Sequence, residues 1–144
     1  FAWAGTIGES RTAHAPFGDV GLPTIDPRDI AEVAAVALTQ GGHTGAVYEL
    51  TGPELTTPRQ RAATIGDLLG SPVRFVEQTP EEARAAMLQY MPEPVVTSTL
   101  QILGTPSAQE QRVSGDVESL LSRAPRPFAD WAARNIEAFR GTGA

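Results

Sequence analysis

A helix that is apolar on every side has to be covered on every side, and residues 30–38 read as such a helix. Ile30, Ala31, Val33, Ala34, Ala35, Val36, Ala37 and Leu38 spread apolar groups around the whole circumference, and only Arg28, Asp29 and Glu32 break the pattern near its start. The remaining sequence offers two clear strand patterns, at 46–50 and 72–77, and a fainter third at 6–10 or 22–25. A sheet that small is marginal unless further strands or helices pack on it. The pattern therefore predicts the second half of a larger α/β domain, whose absent strands cover the helix, or a chain covered by a partner. The 144 residues suffice for a core, since a domain of this size removes about two-thirds of its unfolded-chain surface from water. The chain opens on Phe1 rather than Met, and a fragment or processed chain is expected.

Two missing residue types narrow the chemistry. With no Cys, thiolate metal sites, disulfides and cysteine nucleophiles are all excluded. With no Lys, all 11 basic residues are Arg, which excludes Schiff-base lysines, a P-loop lysine and any Tyr-x-x-x-Lys pair. A net charge of -6, with arginines scattered among acids, argues against a nucleic-acid partner. No apolar run approaches the roughly 20 residues of a membrane span, so no membrane partner and a cytoplasmic location are expected.

Helix starts are legible from capping chemistry. Asp26 precedes Pro27, Thr57 precedes Pro58 with Gln60 behind it, and Thr79 precedes Pro80 with Glu82 completing a capping box. These predict helices over 27–40, from 57 to 69, and over 80–90, with Gly41-Gly42 and Gly70 as stops. Helical spacing continues at 94–103, 116–122 and 127–140.

The run PFGDVGLPTIDPRDIAEVAAVALT, the run GHTGAVYELTGPELTTPRQRAATIGDLLGSPVRFVEQTPEEARAAML and the closing LLSRAPRPFADWAARNIEAF resemble the C-terminal half of NmrA-like proteins. These are atypical short-chain dehydrogenase/reductases that include NAD(P)H-dependent quinone reductases. The resemblance implies an α/β fold: the C-terminal part of a Rossmann-like NAD(P)-binding sheet plus a small, mostly helical substrate lobe. It assigns 1–55 to the sheet portion, with helix 27–40 and strand 46–50, and 56–144 to the lobe, the two forming one cooperative unit. It also implies NAD(P)H as the cofactor of the complete protein, although this chain has no G-x-G-x-x-G turn to hold it. The glycines at 41–45 follow a helix and precede a strand, the reverse of what pyrophosphate requires. No cofactor-binding, catalytic or metal-binding residue is assigned.

Within that frame His14 falls on a loop near the pocket between sheet and lobe, where it is a candidate acid or base, although a solvated loop histidine is the plainer reading. Met87, Tyr90 and Met91 form an adaptable apolar cluster before Pro92, suited to a flat aromatic ligand or simply to core packing. Phe17 joins these as a substrate-pocket candidate, with Trp3 and Phe75 weaker. His43 reads as structural, and Asp26 and Asp29 read as capping acids rather than a catalytic or metal-binding pair. The expected partners are a small aromatic or quinone-like molecule and either the absent N-terminal half or a second copy. Two other functions fit the sequence: a non-catalytic binding or regulatory module, and a cofactor-free enzyme.

Overall fold

Each of the three proline-led helix starts is closed by the side chain preceding the proline. In this computed structural model, which describes residues 2–141, the Asp26 carboxylate accepts from the Arg28 N–H at 2.9 Å and opens α2 (Pro27–Thr39). Thr57 and Gln60 cap α3 (Pro58–Leu69) reciprocally at 3.1 and 2.9 Å, and Thr79 and Glu82 do the same at 3.1 and 2.8 Å for α4 (Pro80–Met87). Around these lie α1 (Ala4–Ser10), α5 (Glu93–Gly104), α6 (Asp116–Leu121) and α7 (Phe128–Arg134). The helix expected over 127–140 breaks at Asn135, whose N–H is shared between the carbonyls of Trp131 and Ala132, and continues as a 3-10 turn (Ile136–Phe139).

Among the described residues the sheet has two parallel strands, β1 (Thr12–Ala15) and β2 (Arg74–Glu77), in register from Thr12 opposite Arg74 to Ala15 opposite Glu77. The expectations for the other strands need correction. Residues 6–10 are helical, and 22–25 contribute a single antiparallel bridge from Leu22 to Thr56. Residues 46–50 do not form a strand. Their polar partners are side chains and a loop: the Glu49 N–H donates to Asp116 at 2.7 Å, the Glu49 carboxylate pairs with Arg112, and Thr51 accepts from the Ser114 N–H at 2.9 Å. Val47 is 93% exposed, so the turn-bounded run that suggested a strand has no neighbouring strand here to pack against.

The core gathers Ile7, Ala13, Ala62, Ile65, Ala132 and Phe139, flanked by Trp3, Phe75, Phe128 and Trp131. Separately α4 packs on α5, and α2 packs on α6. The α2 contact buries Val33 and Asp29 but leaves Ile30 44% and Leu38 85% exposed. The helix is thus covered on one side by its own chain. Two clamps hold that side: Asp26 pairs with Arg134, and fully buried Asp29 pairs with both Arg123 and Arg126, which also reach Glu32. Asp29, read from the sequence as a first-turn acid, is a tertiary anchor.

Candidate functional site

Both strands run in the same direction, so their carboxyl ends open on a common edge, the usual place for ligands in an open α/β sheet. A cavity of about 300 Å³ lies there. Ala15 and Pro16 bring the end of β1 to it, Gln78 the end of β2, and Ala83, Ala86 and Met87 one face of α4. Trp3, Tyr90 and Leu103 complete the aromatic and apolar lining, which also includes His14.

Three of the five residues expected at a pocket, His14, Met87 and Tyr90, therefore line the same cavity. Tyr90 is 71% exposed and forms the rim. Phe17 and Met91 are not part of this lining. The Phe17 backbone takes a left-handed turn at φ 53°, and its ring packs against Gly104, where a Cβ would come within 2.7 Å of Phe17 Cζ. Met91 donates its N–H to the Met87 carbonyl at 2.9 Å as the turn after α4 closes. Phe75 lies under the Arg59 guanidinium, 4.8 Å from its ring centre.

Trp3 contributes more than its weak sequence signal suggested. Its indole N–H donates to the carbonyl of His14 at 2.8 Å, which fixes the ring against the end of β1 and presents it to the cavity. Leu103 and Gln78 carried no sequence signal, because only the α4–α5 packing and the β1–β2 register bring them here. Below the cavity Arg59 bridges Asp19 at 2.9 Å and Glu77 at 3.0 Å, while Glu77 also accepts from the Gly18 N–H at 3.2 Å. This clamp ties the loop after β1 to the end of β2. The hydrogen bond from Arg59 holds the Asp19 carboxyl below its ordinary pKa.

The glycine turn at 41–45 is not built as a dinucleotide-binding turn. The glycines at 41–45 follow the carbonyl end of α2, with Gly42 and Gly45 at φ 94° and 74° and open space beside them. A pyrophosphate needs backbone N–H groups at a helix N-terminus. His43 in this turn bonds instead to the Tyr48 hydroxyl at 2.7 Å. Among the described residues no group of three or more His, Asp or Glu is placed to hold a metal, and no helix is long and apolar enough to cross a membrane.

The backbone superimposes on solved reductases. Against the NADPH-dependent quinone oxidoreductase of Escherichia coli complexed with NADPH, the TM-score is 0.74 at 22% identity, over 92% of this chain and 48% of that one. Against the Citrobacter triphenylmethane reductase complexed with NADP(H), it is 0.71 at 21% identity, over 91% and 46%. The chain has the fold of the C-terminal half of a Rossmann-like reductase. Sequence relatives agree with the resemblance to NmrA-like reductases. The chain is 39% identical to a (4-alkanoyl-5-oxo-2,5-dihydrofuran-3-yl)methyl phosphate reductase of Streptomyces griseus, over 96% of this chain and 49% of the relative. It is 34% identical to an NAD(P)H azoreductase of Xenophilus azovorans, over 95% and 49%. The chain thus spans about half the length of the curated relatives it matches. No family model matches it.

Proposed function

We propose that this chain is the substrate-binding portion of an NAD(P)H-dependent oxidoreductase acting on a small, flat, conjugated molecule such as a quinone. One observation carries the reading: His14, Met87, Tyr90 and Trp3 converge on a cavity at the carboxyl ends of two parallel strands. The names of the relatives, an azoreductase, a quinone oxidoreductase and a triphenylmethane reductase, support the same substrate class. Residues 1–55 form the portion that completes the sheet of the whole protein and 56–144 the lobe, with the β1–β2 pairing joining them into one unit. The N-terminal half supplies the dinucleotide site and covers the exposed side of α2.

This chain's residues then have distinct tasks. Trp3 and Met87 sandwich the ligand's apolar faces and exclude water, Met87 adapting to its outline. Tyr90 closes the rim, and His14 is the residue of the lining with a ring nitrogen able to hydrogen-bond a polar atom of the substrate.

Calorimetric titration of the chain with 1,4-naphthoquinone tests the cavity, and the absence of Cys and Lys removes the usual sites of quinone alkylation. Saturable binding is expected, weakened about tenfold, or ~1.4 kcal/mol, by Tyr90→Ala or Met87→Ala. Equal affinity in both variants, or no saturable binding, overturns the assignment.

A further inference from the structure

Arg61 departs from the pairing seen around it. Arg59, Arg123, Arg126 and Arg134 each meet a carboxylate. Arg61, in the first turn of α3, meets none among the described residues, and its Nε is sealed from solvent without a hydrogen-bond partner. Burial lowers its pKa from the usual arginine value. Its guanidinium lies 5.7 Å from the centre of the Trp3 ring, a contact that offsets part of the lost hydration but offers no acceptor. Glu54 lines a smaller cavity that Arg61 also touches, yet it is exposed and forms no ion pair with Arg61.

A cation drawn partly out of water without a counter-charge is costly; Arg61 is half-buried, and it lines a second cavity of about 290 Å³ together with Trp3, Ile65, Phe128, Trp131 and Phe139. The planar fork of a guanidinium matches a carboxylate, and the surrounding rings suit a flat apolar body. The volume lies at the bottom of the ~300–1,000 Å³ range of small-molecule pockets, which fits one ring rather than several. We propose that Arg61 and this aromatic cavity form a binding site for a small aromatic carboxylate, its carboxylate on the guanidinium and its ring among Trp3, Phe128 and Trp131. The site shares Trp3 with the His14 cavity but differs from it in charge and in the rest of its lining.

Calorimetry on the chain separates the contributions of charge and ring. Sodium benzoate is expected to bind saturably and at least tenfold more tightly than benzyl alcohol, which has the ring without the charge, or sodium acetate, which has the charge without the ring. The net charge of -6 disfavours unspecific anion binding, so such a signal belongs to a built site. Either control matching benzoate overturns the proposal with no variant needed. Arg61→Gln is expected to weaken benzoate at least tenfold, and retention of affinity in the folded variant is likewise against it. Tyr90→Ala, which weakens naphthoquinone, is expected to leave benzoate binding unchanged; a parallel loss places benzoate in the other cavity and overturns the assignment.

Discussion

At Asp29 opposing effects act on one carboxyl group. Burial pushes its pKa up, but the Arg126 N–H at 2.7 Å and the guanidinium groups of Arg123 and Arg126 more than reverse this, so the folded pKa is lowered. A depressed carboxylate contributes stability that is fully present above its unfolded pKa and is lost as pH falls through the folded value. Removing one partner of a buried pair costs about 3–5 kcal/mol. The two arginines remain partly solvated and keep Glu32. Asp29→Asn is therefore expected to lower stability by about 2–3 kcal/mol at pH 7, read by urea unfolding. The difference between the two proteins should shrink as the pH drops below the normal Asp value, about 3.9. A difference unchanged down to pH 2 would sink this account.

At the scale of elements, what can be read from sequence depends on how local the cause is. Thr57 and Thr79 each satisfy an N–H three residues ahead, so the pattern announces the helix before any tertiary contact exists. Thr57→Ala should cost about 1 kcal/mol, measured as a shift in the urea midpoint at unchanged slope. Strands need a partner, and that is where sequence reading failed. Residues 46–50 have a strand's residue types between two turns but bond to the start of α6, whereas Thr-Ala-His-Ala, with little β character, is a strand because β2 lies beside it. The residues that line the two cavities divide in the same way. His14, Met87 and Tyr90 could be named as candidates from residue type and resemblance. Trp3 needed the indole bond to His14, and Arg61 needed the packing of α3 against the aromatic segment at the C-terminus.

For the whole molecule, the half-covered α2 is the decisive feature. Ile30 and Leu38 stand exposed on a helix whose other side is clamped, which makes an apolar patch that water disfavours. Sedimentation of the chain at micromolar concentration should give an apparent mass above 15.2 kDa. Leu38→Glu, at a position already 85% exposed, should return it to monomer without loss of helicity. A monomer before substitution would count against the exposed flank as an association surface. The clamps on the opposite side also impose an order on synthesis. Asp26 and Asp29 find their arginines 94 to 108 residues later, and contacts that close so long a loop form late. While the chain is still being extruded from a ribosome, α2 carries acids that cannot be buried at low cost until residues 123–134 emerge. Until then that helix stays undocked, so the two aspartates tie the docking of an early element to the synthesis of a late one.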